Sequence, residues 1–219
     1  MSSQLELYHW EPNTYFLKPL IALAEKQAAF VSRWFDPTRL EQFAPGFPAN
    51  TESGLQLERE GPILVHDGTV ISSSFFMLEY IAESLPGVEL LPGDALEHYR
   101  ARASAQFLGG LGADVIVLGC AKYLAPLLSA PPVADGQVSF RKRLEAVEPQ
   151  ERRNSWLAVL DGTYGETVLA KTRERLKFPV GRVERTLSGS KWLAGPEYSI
   201  ADIDAFAMLR ALPTLAPDV

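Results

Sequence analysis

Cysteine is almost missing from this sequence: Cys120 stands alone among 219 residues. A single thiol makes no internal disulfide, which fits a reducing compartment and excludes a disulfide-stapled scaffold. Cys120 itself reads as a small buried hydrophobe in a helix rather than as a nucleophile. Histidine is scarce as well, and His9, His66 and His98 show no metal-ligand spacing with Cys120, so no metal is expected. An excess of positive charge is also lacking. Lys and Arg number 21 against 27 Asp and Glu, the formal net charge is −6 and the pI about 5.2. Nothing concentrates cations against a phosphate backbone, so nucleic acid is not an expected partner. No stretch reads as the ~20 consecutive apolar residues of a membrane helix, and Met1 to Glu6 lack a basic region followed by an apolar run, so neither a membrane span nor a secretion signal is expected. A Gly-x-Gly-x-x-Gly loop, a Gly-x-Ser-x-Gly turn, internal repeats and low-complexity tracts are all absent from the sequence. What is there is ordinary for a globular chain: 47% hydrophobic and 22% charged residues, enough for one large domain or two small ones.

The pattern along the chain predicts a change of architecture. Leu5 to Trp10 alternate apolar and polar residues, as a strand does, and Pro12-Asn13 end the run. Leu17, Leu20, Ile21, Leu23 and Ala24 then follow helical spacing, with Asn13 or Thr14 as cap and Pro19 early in the helix. Ala29 to Phe35 reads as a second strand, so the chain opens β-α-β with a parallel pair. Residues 37–60 are loop-rich, with room for a short helix around Arg39 to Phe43. Asp67-Gly68 between two apolar runs predicts a type I′ hairpin over Pro62 to Ile71. Ser72-Ser73-Ser74 can cap a helix from Phe75 to Leu85, which Pro86-Gly87 stop. Leu90-Leu91-Pro92-Gly93 reads as a linker. Beyond Asp94, helical patterns run from Ala95 to about Leu128 and from Pro149 to about Leu187, separated by Ala130 to Gly136. The expected organisation is a small α/β domain over 1–87 and an all-helical domain over 94–219.

This order, together with four motifs, resembles the glutathione transferase superfamily over most of the chain. The resemblance implies a thioredoxin-like N-terminal domain followed by a C-terminal helical domain. The first motif is Gly61-Pro62-Ile63-Leu64. In the family a cis proline opens the third strand here, and the backbone before it pairs with the cysteinyl part of glutathione, which implies Gly61 and Pro62 as binding residues. The second is Ser73-Ser74. The family has an acidic or amide residue followed by serine, holding the γ-glutamyl end of glutathione at a helix N-terminus. Ser74 matches and Ser73 departs, and plain helix capping would explain both without a ligand. The third is Ser199-Ile200-Ala201-Asp202, a capping box whose role is folding. The fourth joins Leu7-Tyr8, Leu17-Lys18-Pro19-Leu20 and Glu148 to Trp156, which look like the bacterial β-etherase (Nu-class-like) branch. Those enzymes use glutathione to cleave β-aryl ethers derived from lignin.

The chain departs from that pattern in ways that bear on chemistry. The family stabilises a thiolate with a hydroxyl or amide near the start of the first helix. The β-etherase branch has Asn-Ser immediately before Leu-Lys-Pro, where this chain has Tyr15-Phe16, and Phe16 carries no donor. Asn13, Thr14 and Tyr15 are the remaining catalytic candidates. The loop Asn50 to Glu60 is longer than the family's, and the chain stops at Val219 where the family normally continues, so the second domain is short or truncated. Trp10, Phe16, Phe107 and Tyr123 could wall an acceptor site or pack a core. The resemblance implies glutathione as co-substrate, an aromatic small-molecule substrate, a cytoplasmic location, and a homodimer or a heterodimer with another glutathione transferase. Three activities stay open: a β-etherase-type transferase subunit, a non-catalytic partner subunit with a degenerate glutathione site, and a carrier of hydrophobic ligands.

Overall fold

The computed structural model describes residues 4–10, 14–48, 61–129, 139–148, 150–162 and 164–219. Its only sheet among these has four strands in the order β2-β1-β3-β4, with β1 Leu5–His9, β2 Val31–Trp34, β3 Ile63–His66 and β4 Thr69–Ile71. β1 runs parallel to β2 (Glu6 opposite Val31) and antiparallel to β3 (Tyr8 opposite Ile63), and β3 pairs antiparallel with β4 (Leu64 opposite Ile71). The alternation read in the sequence is real. Leu5 and Leu7 are buried on one face of β1, while Glu6 and Tyr8 lie on the other. Two helices, α1 Thr14–Glu25 and α2 Ser74–Ser84, cover the apolar face and bury Ala22, Leu23, Met77, Leu78 and Ile81 against Leu7 and Leu64. At the hairpin, Asp67 (φ 48°) and Gly68 (φ 83°) both take the left-handed conformation that a type I′ turn requires.

Three local expectations need correction. Pro19 lies in the interior of α1, where it has no N–H for the Tyr15 carbonyl. The short helix expected around Arg39 to Phe43 is two 3₁₀ turns, Pro37–Arg39 and Glu41–Phe43, split by Leu40 at φ 61°. The Asp36 carboxylate accepts from Thr38 N–H and starts the first of them. Leu90 and Leu91 do not form a solvated linker. Both are buried in the core that also takes Ala101, Ala105, Ile200 and Ala201, and Leu90 O accepts from Ile200 N–H at 2.9 Å. One apolar core therefore runs from the sheet into the helices that follow.

Those helices begin with α3 Ala95–Gly109, α4 Gly112–Gly119, a π-helical turn Cys120–Leu124 and α5 Ala125–Ser129. Taken as one helical stretch, Ala95–Ser129 contains an 18-residue window of mean hydropathy 1.6 and is by length and composition alone long and apolar enough to cross a membrane. Its apolar residues are interrupted by Asp114 and by glycines rather than consecutive. Here the stretch packs within the fold: Val115 and Leu118 are buried with Leu176 of α8 (Glu166–Gly189) and Leu212 of α10 (Leu212–Leu215). Between α5 and α8 lie α6 Phe140–Leu144 and α7 Gln150–Leu160. The last core helix is α9 Ile200–Leu209, and it opens with the expected capping box: Ala201 N–H donates to Ser199 Oγ, and Ser199 N–H donates to Asp202 Oδ2. Asp202 Oδ1 also accepts from Leu193 N–H, tying the incoming loop to the helix.

Candidate functional site

The strand register gathers the candidate residues at one edge of the sheet. β1 ends at His9, and α1 begins four residues beyond Trp10 with Thr14. Pro62 immediately precedes Ile63, which pairs with Tyr8 near the same end of β1. Ile71 pairs with Leu64, so the exit of β4 into Ser72-Ser73-Ser74 reaches that end too. Thr14, Tyr15, Gly61, Pro62, Ser73 and Ser74 are thus brought to one edge. Asn13 lies outside the described residues, as does the long loop Asn50 to Glu60.

The N-terminus of α2 differs from the simple cap expected of its serines. Ser73 precedes the helix but makes no side-chain capping bond, and it sits at φ 68°, ψ 116°. That is a sparsely populated conformation for a residue with a Cβ, costing about 1–3 kcal/mol, and such residues gather at ligand sites. Ser74, the first helical residue, is buried. Ser72 is buried as well, and its hydroxyl has no hydrogen-bond partner. The first helical hydrogen bond runs from Met77 N–H to Ser73 O, so the N–H groups of Ser74 to Phe76 point out of the helix end, where the dipole favours an anion.

The N-terminus of α1 is packed inward. Phe16 is 3% exposed and meets Trp10 edge-on at 5.6 Å and Phe35 at 6.4 Å; Phe35 meets Phe47 at 5.1 Å, and Phe47 meets Tyr8 at 5.5 Å. The position that would carry a hydroxyl is part of an aromatic stack. Tyr15 reaches the helical region: a side chain at Gly112 would collide with its hydroxyl. Tyr8 is engaged elsewhere, since its hydroxyl lies 3.5 Å from Glu6 Oε2, which also accepts from Arg33 Nε at 2.7 Å. Burial, with Glu6 adding to it, raises the Tyr8 hydroxyl above its ordinary pKa. Among the described candidates, Thr14 is the half-buried hydroxyl at the helix start. Of the suggested aromatic walls, Trp10 and Phe16 belong to the stack. Phe107 carries Arg182 over its ring at 4.6 Å, and Tyr123 is exposed beside Lys122.

Sequence reasoning missed an ion pair beneath this edge. Lys18 of α1 and Asp204 of α9 are in direct contact, and both side chains are wholly buried. The Lys18 ammonium also lies 5.2 Å from the Tyr15 ring centre. Burial pushes the Asp204 carboxyl up to about 6, against the opposing pull of Lys18, and burial lowers Lys18. The available signal was a charge at a core position of each helix, Lys18 one turn before Ala22 and Asp204 among Ile200, Ile203 and Met208.

Comparison with known proteins agrees with this architecture. Residues 136–219 match the model of the glutathione S-transferase C-terminal domain. Protein LigF of Sphingobium sp. (strain NBRC 103272 / SYK-6) is 27% identical over 213 residues, 95% of this chain and 79% of that protein. The crystal structure of β-etherase LigF from Sphingobium sp. strain SYK-6 superposes with a TM-score of 0.81 at 26% identity, covering 96% of this chain and 84% of LigF. Glutathione transferase F7 from Populus trichocarpa shares the fold, with a TM-score of 0.70 at 20% identity over 97% of this chain and 84% of its own.

Proposed function

We propose that this chain, whose second domain is a glutathione S-transferase C-terminal domain and whose fold is that of the glutathione transferases, binds glutathione at the α1–α2 edge and serves in a glutathione-dependent β-etherase acting on lignin-derived aromatics. The observation that carries the reading is Ser73. Its backbone is strained, its hydroxyl caps nothing, and the helix N-terminus behind it is ready for a carboxylate. Ser74 and the N–H groups of the first turn hold the γ-glutamyl carboxylate, and the Gly61 backbone ahead of Pro62 pairs with the cysteinyl unit. Glutathione supplies the sulfur nucleophile; as the carbon–sulfur bond forms, the carbon–oxygen bond of the aryl ether breaks and the aryloxide leaves. Thr14, with Asn13 beside it, donates a hydrogen bond to the thiolate and lowers its pKa, helped by the α1 dipole. Tyr15 is not assigned this role, because its hydroxyl is lodged against Gly112.

One observation favours a second reading. Phe16 is locked in the aromatic stack at the place where the β-etherase branch has serine, which suits a non-catalytic subunit paired with an active transferase. Either reading involves a partner chain, and Phe76 of α2 with Leu96 and Tyr99 of α3 offer an exposed apolar surface for it. The proposed location is the cytoplasm, where glutathione is abundant and reduced.

Calorimetric titration of the isolated chain with glutathione tests the binding. Millimolar or tighter binding, weakened at least tenfold by Ser74→Ala, is the expected result. An absence of binding heat would sink the glutathione site itself. Thiolate absorbance of the bound ligand then separates the two readings: a signal at neutral pH that Thr14→Val removes identifies a working subunit, and binding without thiolate identifies the non-catalytic one.

A further inference from the structure

At the end of the sheet opposite Thr14 and Ser73, the fold leaves a hollow of about 270 Å³ lined by Leu5, Lys26, Gln27, Ala28, Ala29, His66, Leu85 and Pro86. These residues come from the start of β1, the end of β3 and the segments just past α1 and α2. A water needs roughly 10–15 Å³ of such space, so the hollow exceeds the needs of a small organic molecule. Its wall is mostly apolar with a few polar groups, the usual make-up of a small-molecule site.

The polar side of that wall is unbalanced in charge. Lys26 is 5% exposed, and its ammonium donates to the Ala82 carbonyl at 2.8 Å. That bond closes the C-terminal end of α2, whose carbonyl dipoles offset part of the positive charge. Lys26 forms no ion pair among the described residues, and no carboxylate lines the hollow. A buried ammonium has three donors and is costly to leave without an anion. The frame around it is fixed. Gly87 adopts φ 119°, and a Cβ there would lie 2.9 Å from the Lys26 carbonyl oxygen; Gln27 is held at φ 51°; the His66 ring is set by the Tyr80 hydroxyl at 2.6 Å. A rigid hollow saves a ligand the entropy of ordering its walls.

We propose that this hollow binds a compact monocarboxylic acid, its apolar body against Leu5, Ala28, Leu85 and Pro86 and its carboxylate paired with Lys26. The site lies apart from the glutathione edge, so the two ligands bind without competing.

The test is amide NMR of the full chain titrated with sodium benzoate, and with benzyl alcohol as a neutral probe of similar shape, each with and without saturating glutathione. Benzoate should shift the amides of Gln27, Ala28, Ala29 and Leu85, equally in both backgrounds, and bind at least tenfold more tightly than benzyl alcohol. Ala29→Phe, at an exposed position on the rim, should abolish the shifts by filling the space. Lys26→Met should erase the preference for the acid. Should that variant not fold, Ala29→Phe decides alone. Benzoate shifts confined to other residues, benzyl alcohol binding as tightly as benzoate, or binding untouched by Ala29→Phe would each overturn the proposal.

Discussion

Two helix N-termini meet at the same edge of the sheet, and they are built in opposite ways. At α2 the protein tolerates a strained serine, leaves the Ser72 hydroxyl unpartnered and caps nothing with Ser73. At α1 every described side chain in the first turn beyond Thr14 is turned into the protein: Tyr15 toward Gly112, Phe16 into the aromatic stack, and Lys18 into contact with Asp204. The first arrangement costs local strain with no side-chain capping bond in return, which supports the proposed ligand site there. The second uses the same kind of helix end to fasten α1 to the helical domain. The α2 end, proposed to anchor glutathione, and the α1 end are therefore separable features of this edge, and changes at each end should have different consequences.

The largest effect is expected at the buried pair. Lys18→Met leaves the Asp204 carboxylate buried without its counter-ion and should lower unfolding free energy at pH 7 by about 3–5 kcal/mol, measured by urea denaturation. The double variant Lys18→Met/Asp204→Leu should recover most of that loss, because an apolar pair has no charges to desolvate. A double variant as unstable as the single would mean that packing shape, not charge burial, holds α1 to α9. The direction with pH follows from Asp204, whose folded pKa is raised from the ordinary 3.8 to about 6. A raised carboxyl contributes stability that is fully present below pH 3.8 and is lost as pH rises through about 6. The double variant lacks this group, so its stability relative to the native chain should fall as the pH is lowered from 7 to 4.

Phe16→Ser puts a hydroxyl where the β-etherase branch has one, but it removes a buried ring from between Trp10 and Phe35. Loss of a buried aromatic costs about 3 kcal/mol or more. Thermal unfolding should show that loss, while bound glutathione should gain no thiolate absorbance, because the new hydroxyl faces the stack. A gain of thiolate would instead show that α1 can turn, and would blur the contrast between the two helix ends.

Much of this frame was legible in the sequence, and the failures share a cause. Asp67-Gly68 and Ser199-x-x-Asp202 could be read because each encodes a local geometry that few other residues satisfy. The β-α-β opening could be read from periodicity alone. Ser72-Ser73-Ser74 could be read as a cap or as a ligand site because both use the same hydroxyls, and what the sequence withheld was that Ser73 makes no side-chain capping bond. Lys18 and Asp204 lie far apart in sequence; Lys18 was legible only as part of the Leu17-Lys18-Pro19-Leu20 motif, and nothing local pairs it with Asp204 until α1 packs on α9. Leu90 and Leu91 read as a linker because Pro92-Gly93 follow, although their own apolar character was the truer signal. What the pattern conveyed was local structure, and what it withheld was which faces meet.

Ser73 gives the smallest expected effect and the sharpest one. Glycine has no Cβ to oppose a positive φ, so Ser73→Gly should relieve strain and stabilise the fold by about 1 kcal/mol, a rise of roughly 2–4 °C in Tm for a chain of this size. No capping bond is lost to offset the gain, since Ser73 makes none. Glutathione affinity should move the other way, because a freer backbone no longer presents the helix end in one fixed geometry. Stability and affinity that rise together would show that the strain at Ser73 serves no ligand, and the contrast between the two helix ends would then lie in packing alone.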